Sequence, residues 1–99
     1  MDGEALISPD VLASYAADAA CEVAGVSGLV AGPMPGRRGV RISVDDGRVG
    51  VELHVCVAWG ASIPEVGAAV QERVAGYLAQ MADVRPDSVD VVVDEVGTP

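Results

Sequence analysis

Val40-Arg41-Ile42-Ser43-Val44-Asp45-Asp46-Gly47-Arg48-Val49-Gly50-Val51-Glu52-Leu53-His54-Val55-Cys56-Val57-Ala58-Trp59 is the stretch on which the fold turns. Apolar and polar residues alternate on both sides of Asp46-Gly47, the period of a strand with one buried face. Asp-Gly is a favoured two-residue hairpin turn. With 46 and 47 as that turn, residue 45 faces 48 and the register is set. Val44 then meets Val49, Ile42 meets Val51 and Val40 meets Leu53 on one face. On the other face Asp45 meets Arg48 and Arg41 meets Glu52. Apolar and charged pairs of this kind stabilise a ribbon, and a slip of one residue destroys both sets. Strands are expected over 40–45 and 48–59.

Upstream, Ser8-Pro9 has the form of a helix start, with Ser8 as N-cap and Pro9 in the first helical position. Leu12, Tyr15, Ala16, Ala19 and Val23 recur at helical spacing, which predicts a helix over 9–24 closed by Gly25. Residues 25–39 hold five glycines and two prolines and are expected to form a loop. Downstream, Ser62-Ile63-Pro64-Glu65 has the form of a capping box. Val66, Val70, Val74, Tyr77, Leu78 and Met81 form one stripe of a second helix over 63–82. Val89, Val91 and Val93 alternate with Asp90 and Asp94, which predicts a third strand over 88–96.

The expected architecture is α+β, a two-layer α/β sandwich of order αββαβ. A three-stranded mixed sheet carries both helices on one face. A helix between two strands favours a parallel crossover. The first hairpin strand is then placed in the middle, giving the order 2-1-3. The chain is long enough for one domain, 1–99, with an ordered core over about 7–96 and frayed ends at 1–6 and 97–99.

Composition narrows the function classes. The formal charge is -9, from fifteen acidic and six basic residues, and lysine is absent. Phosphate backbones are held by clustered Lys and Arg, so nucleic acid and anionic membrane are disfavoured as partners. No apolar run approaches the ~20 residues of a membrane span, so direct membrane insertion is not expected. The acidic start, Met1-Asp2-Gly3-Glu4, lacks a signal peptide's basic region, and a cytoplasmic location is expected.

Candidate chemistry is sparse. His54 and Cys56 share one face of a strand, but a structural zinc site wants four ligands, and Cys21 falls on the solvent side of the first helix. Two strand positions also separate the His54 and Cys56 tips by about 6–7 Å, with no orienting third group. An ordinary, half-exposed histidine and cysteine are expected, with no catalytic residue, no metal and no cofactor. The loop Gly32-Pro33-Met34-Pro35-Gly36-Arg37-Arg38-Gly39 lacks a P-loop's Gly-Lys-Ser/Thr ending, although Met and Arg suit an adaptable contact loop.

Helices on one side leave the other sheet face either solvated or docked to a partner. That face is expected to show Arg41, Ser43, Glu52, His54, Cys56, Asp90, Val92 and Asp94. The candidate partner-binding residues are Arg37, Arg38, Arg41, Glu52, His54, Cys56, Val92 and Trp59. Trp59 is in phase with the core residues and is expected at the core rim; exposed, it would be an interaction hot spot.

Ile7-Ser8-Pro9-Asp10-Val11, Glu22-Val23-Ala24-Gly25-Val26-Ser27-Gly28-Leu29, Gly39-Val40-Arg41-Ile42-Ser43-Val44 and Trp59-Gly60-Ala61-Ser62-Ile63-Pro64-Glu65-Val66 resemble, in order and spacing, segments of the alkaline-shock family of bacterial envelope-stress proteins. Val70-Gln71-Glu72-Arg73-Val74 and Val89-Asp90-Val91-Val92-Val93 extend the resemblance over about residues 7–96. It implies a non-enzymatic cytoplasmic protein linked to cell-envelope stress. It also implies a protein partner, in some members a small integral-membrane anchor, and self-association to a homo-oligomer as a further option. The chain departs from the family by lacking lysine and by small residues such as Gly67. An alternative is a KH-like RNA-binding module. Gly25-Val26-Ser27-Gly28 has the spacing of its Gly-x-x-Gly loop but no basic neighbour.

Overall fold

The 40–57 ribbon folds in the register its pairs predict. Val40 faces Leu53, Arg41 faces Glu52, Ile42 faces Val51, Val44 faces Val49 and Asp45 faces Arg48. Asp46 and Gly47 both adopt positive φ, 52° and 79°, as the tight turn requires. The computed structural model describes residues 8–29 and 39–97. In chain order its elements are α1 (Pro9–Cys21), β1 (Val26–Leu29), β2 (Val40–Asp45), β3 (Arg48–Val57), α2 (Ile63–Ala82) and β4 (Ser88–Val96).

Among the described residues the sheet has four strands, not three, and its order differs from 2-1-3. The second hairpin strand, β3, is central, with β4 parallel along one edge. β2 and β1 lie end to end along the other edge, both antiparallel to β3. The cause is length. β3 has ten residues and β2 six, so β3 outruns β2 at Val55–Val57. Val26-Ser27-Gly28-Leu29 takes up that free edge, pairing Val26 with Val57 and Leu29 with Val55. The stretch expected to be a loop thus contains a strand that exists because a partner edge is available.

Both helices cover the valine face. Leu12, Ala16, Ala19 and Ala20 of α1 and Val66, Val70, Val74 and Leu78 of α2 are buried with Val40, Val51, Leu53, Val55 and Val57 of the sheet. No polar or charged residue is buried among the described residues. Tyr15 meets Tyr77 edge-on between the helices, with ring centroids 5.9 Å apart. Arg73 on α2 pairs with Glu22 at the end of α1.

The helix ends depart from expectation in two places. Ser8 caps α1, accepting from the Val11 N–H at 3.2 Å. That helix stops at Cys21 rather than at 24, because the chain must turn through Gly25, φ 98°, to enter β1. Ser62 precedes α2 but its side chain makes no cap hydrogen bond, so the capping box is not formed. Pro64, in the first turn, lacks one of the amides that a cap hydroxyl would serve.

Candidate functional site: the open face of the sheet

Alternation puts one residue in two on the side of the sheet away from the helices. On β3 these are Gly50, Glu52, His54 and Cys56, all half-buried, between buried Val51, Leu53, Val55 and Val57. Gly50 stands between the Ser43 and Ser88 side chains, and a Cβ there would lie 2.9 Å from the Ser43 hydroxyl. Across the face run two rows. Arg41, Glu52 and Asp90 form one, and His54 lies beside Val92 in the next.

A bulge then reshapes the face. Val55 pairs with Val93, but Cys56 pairs with Glu95, so Asp94 is the extra residue on β4. Two consecutive acids are thereby brought to the same side of the sheet. Asp94 Oδ2 lies 2.8 Å from His54 Nδ1, and the Cys56 thiol points to Glu95 Oε1 at 3.6 Å. On the other side of the imidazole, Glu52 Oε2 lies 2.6 Å from His54 Nε2. His54 is therefore held between two carboxylates, one from its own strand and one from the neighbour.

The chemistry follows from the geometry. An imidazole facing a carboxylate at each nitrogen holds both protons, so its pKa is raised, first by the Glu52 hydrogen bond and then by that of Asp94. Glu52 is lowered in turn, chiefly by the same hydrogen bond. Burial, and then Glu95, push the Cys56 thiol up. A histidine with both nitrogens occupied and a thiol held protonated do not make a nucleophile and base. Among the described residues no group of three or more His, Cys, Asp and Glu side chains could hold a metal ion.

The sign of the pH effect is fixed by these directions. The raised His54 stabilises the fold fully below its ordinary value of 6.5 and loses that contribution as pH rises through its folded pKa. The lowered Glu52 contributes above its ordinary 4.5. His54→Gln should therefore lower Tm most between those two values, and the deficit should shrink in alkaline buffer. Thermal melts across that range check it. A deficit that grew toward high pH would contradict the bridge.

The structure brings Arg41, Glu52, His54, Cys56 and Val92 of the sequence candidates onto one surface. Trp59 is not at the core rim. Strand β3 ends at Val57, the indole sits in the following turn, and it is 67% exposed. Arg37, Arg38 and most of the 32–39 loop lie outside the described residues. Glu95 escapes the sequence reading, because alternation alone assigns it to the opposite side from Asp94. Cys21 is exposed on α1, and both cysteines are free thiols. No described helix is long and apolar enough to cross a membrane.

The model of the alkaline-shock protein family, described as having a cell envelope-related function, matches residues 1–98. The YqhY protein of Bacillus subtilis (strain 168) is 29% identical over 99 residues, covering 90% of this chain and 73% of that protein. Among solved structures, a histidine-to-alanine variant of MamM CTD superposes with TM-score 0.59 at 17% identity, covering 89% of this chain and 96% of that one. The cadmium form of MamM CTD gives TM-score 0.60 at 16% identity, covering 89% and 98%. At such identity these likenesses speak for the fold alone.

Proposed function

Because the chain belongs to the alkaline-shock protein family, whose function is described as cell envelope-related, we propose that it is a non-enzymatic module that takes a protein partner on the open face of its sheet. The observation that carries this reading is the asymmetry of the sheet. One face is sealed by two helices, and the other presents two polar groups side by side, Glu52-His54-Asp94 and Cys56-Glu95. Arg41, Glu52, His54, Cys56 and Val92 form the contact surface, and exposed Trp59 adds to it. An exposed tryptophan in the turn just beyond the central strand is the residue type that dominates binding energy at interfaces.

The partner is a protein rather than a nucleic acid. Glu52, Asp90, Asp94 and Glu95 outnumber Arg41 and His54 on this side, and such a surface repels phosphates. In this proposal the protein acts in the cytoplasm and reaches the envelope by binding a small membrane-anchored partner, which fits the cell envelope-related function of its family.

The two native cysteines supply the test. A photo-cross-linker is attached at Cys56 in a Cys21→Ser chain, or at Cys21 in a Cys56→Ser chain. In cells, the Cys56 probe should give a discrete adduct with a membrane protein, several-fold stronger than the Cys21 probe gives. Adducts from Cys21 alone would place the partner on the helix side, equal adducts from both positions would show no preference for the open face, and either result would end the proposal.

A further inference from the structure

We infer that the outer edge of β4 is a docking edge for a cationic β-strand of the partner, built to reject a second copy of the same chain. The inference rests on the reading of this chain as a protein-interaction module and specifies how the partner is held. β4 has nine residues and pairs with β3 and with no other described strand. Alternate residues of a strand paired on one side turn their N–H and C=O groups outward, where they can accept a further strand. Only at Val89 does a described side chain intervene, Gln71 of α2 donating to its carbonyl at 2.9 Å. Edges this long invite self-pairing unless something opposes it.

The opposition is in the charges. An antiparallel pair of β4 strands centred on the stretch 90–94, ahead of the step to Glu95, sets Val92 against Val92. It also sets Asp90 against Asp94 of the second copy, twice. Like charges directly opposite are destabilising. The same spacing that repels a copy suits a cation. A strand with Lys or Arg at two positions four apart would place one opposite Asp90 and the other opposite Asp94. An apolar residue midway would face Val92, which is 37% exposed. The intervening residues would continue the row of Val91 and Val93, which pack against the core.

The probe is a labelled peptide containing Lys-Val-Val-Val-Lys flanked by threonines, with a Glu-Val-Val-Val-Glu control. Three results are expected. Fluorescence anisotropy finds binding of the lysine peptide and not of the control, and the lysine peptide slows amide exchange in residues 89–95. Asp90→Asn weakens binding about threefold to fivefold, the size of one exposed ion pair. Asp90→Lys abolishes peptide binding and, by turning both like-charge contacts into ion pairs, shifts the chain toward a dimer in light scattering. Asp90 is exposed, so these variants fold. Equal binding of both peptides, protection at β2 instead of β4, or a wild-type dimer that already protects β4 would overturn the inference. If the Cys56 adduct forms but the lysine peptide does not bind, the docking edge is wrong and the docking face stands. If the peptide binds but no adduct forms, the reverse holds.

Discussion

Leu53→Ala should lower the free energy of unfolding by about 3–4 kcal/mol. Leu53 lies at the middle of the central strand and is completely buried, within a cluster drawn from both helices and two strands. The chain contains no phenylalanine, and its core is valine and alanine with few larger groups. Valine is stiff at χ1 and alanine has no reach, so neighbours cannot swing in to fill the space. The cavity therefore stays open, and the cost sits in the upper part of the range for such truncations. Against the roughly 5–15 kcal/mol that a folded domain commands, that is a large fraction. Leu53→Met, which keeps the volume, should cost under about 1.5 kcal/mol. Urea denaturation of the three proteins checks this. A loss below about 1.5 kcal/mol for the alanine variant would mean that the core collapses freely and is not packed as described.

Gly25→Ala should cost about 2–5 kcal/mol although it adds one methyl group. Two effects combine. Gly25 has φ 98°, a region L-residues avoid, which costs roughly 1–2 kcal/mol. A Cβ there would also lie 2.6 Å from Val66 Cγ2. Val66 is buried on α2, and a β-branched side chain in a helix has essentially one rotamer, so it cannot step aside. Overpacking of this kind adds about 1–3 kcal/mol. Gly25 is also the joint between α1 and β1, and its carbonyl accepts from the Ala58 N–H at 2.7 Å. The substitution should thus loosen β1 first, visible as faster amide exchange at residues 26–29. Pairing it with Val66→Ala separates the causes. The double variant should recover the steric part and keep the backbone part, so the two costs will not add. Strict additivity would show that the close approach to Val66 carries no energy.

The two effects belong to different levels of legibility. Leu53 announces itself in the sequence, as the middle of a run whose apolar phase is unbroken from Val49 to Val57. The hairpin register is equally plain, because apolar and charged pairs agree around one Asp-Gly turn. The second helix is legible to its observed bounds, since a stripe of Val66, Val70, Val74 and Leu78 is periodic by itself. Gly25 can be read as a helix terminator, but not as a close approach between two elements far apart in the chain. β1 is invisible for a similar reason. Val26-Ser27-Gly28-Leu29 has no strand signature of its own and is extended because β3 offers it an edge.

On the candidate site, counting in twos along the strands puts Arg41, Glu52, His54, Cys56, Asp90, Val92 and Asp94 on one face. The same count cannot see that His54 sits between Glu52 and Asp94, or that Glu95 turns the same way to meet Cys56. Both depend on one bulged residue, which breaks the count. Trp59 shows the converse error. Its phase is that of the core, but β1 and β4 both run out opposite Val57, so no ladder remains to carry residue 59 inward.

Local pattern is enough to fix which faces are apolar, where the hairpin turns, where both helices begin, and that the surface is acidic. Each of these can be read within one turn of helix or one pair of strands. Three outcomes wait for the assembled molecule: which strand is central, that a glycine-rich stretch becomes a fourth strand, and which acids meet His54 and Cys56. They depend on which edges remain free once the longest strand is paired, and that is a property of the whole sheet that no single segment contains.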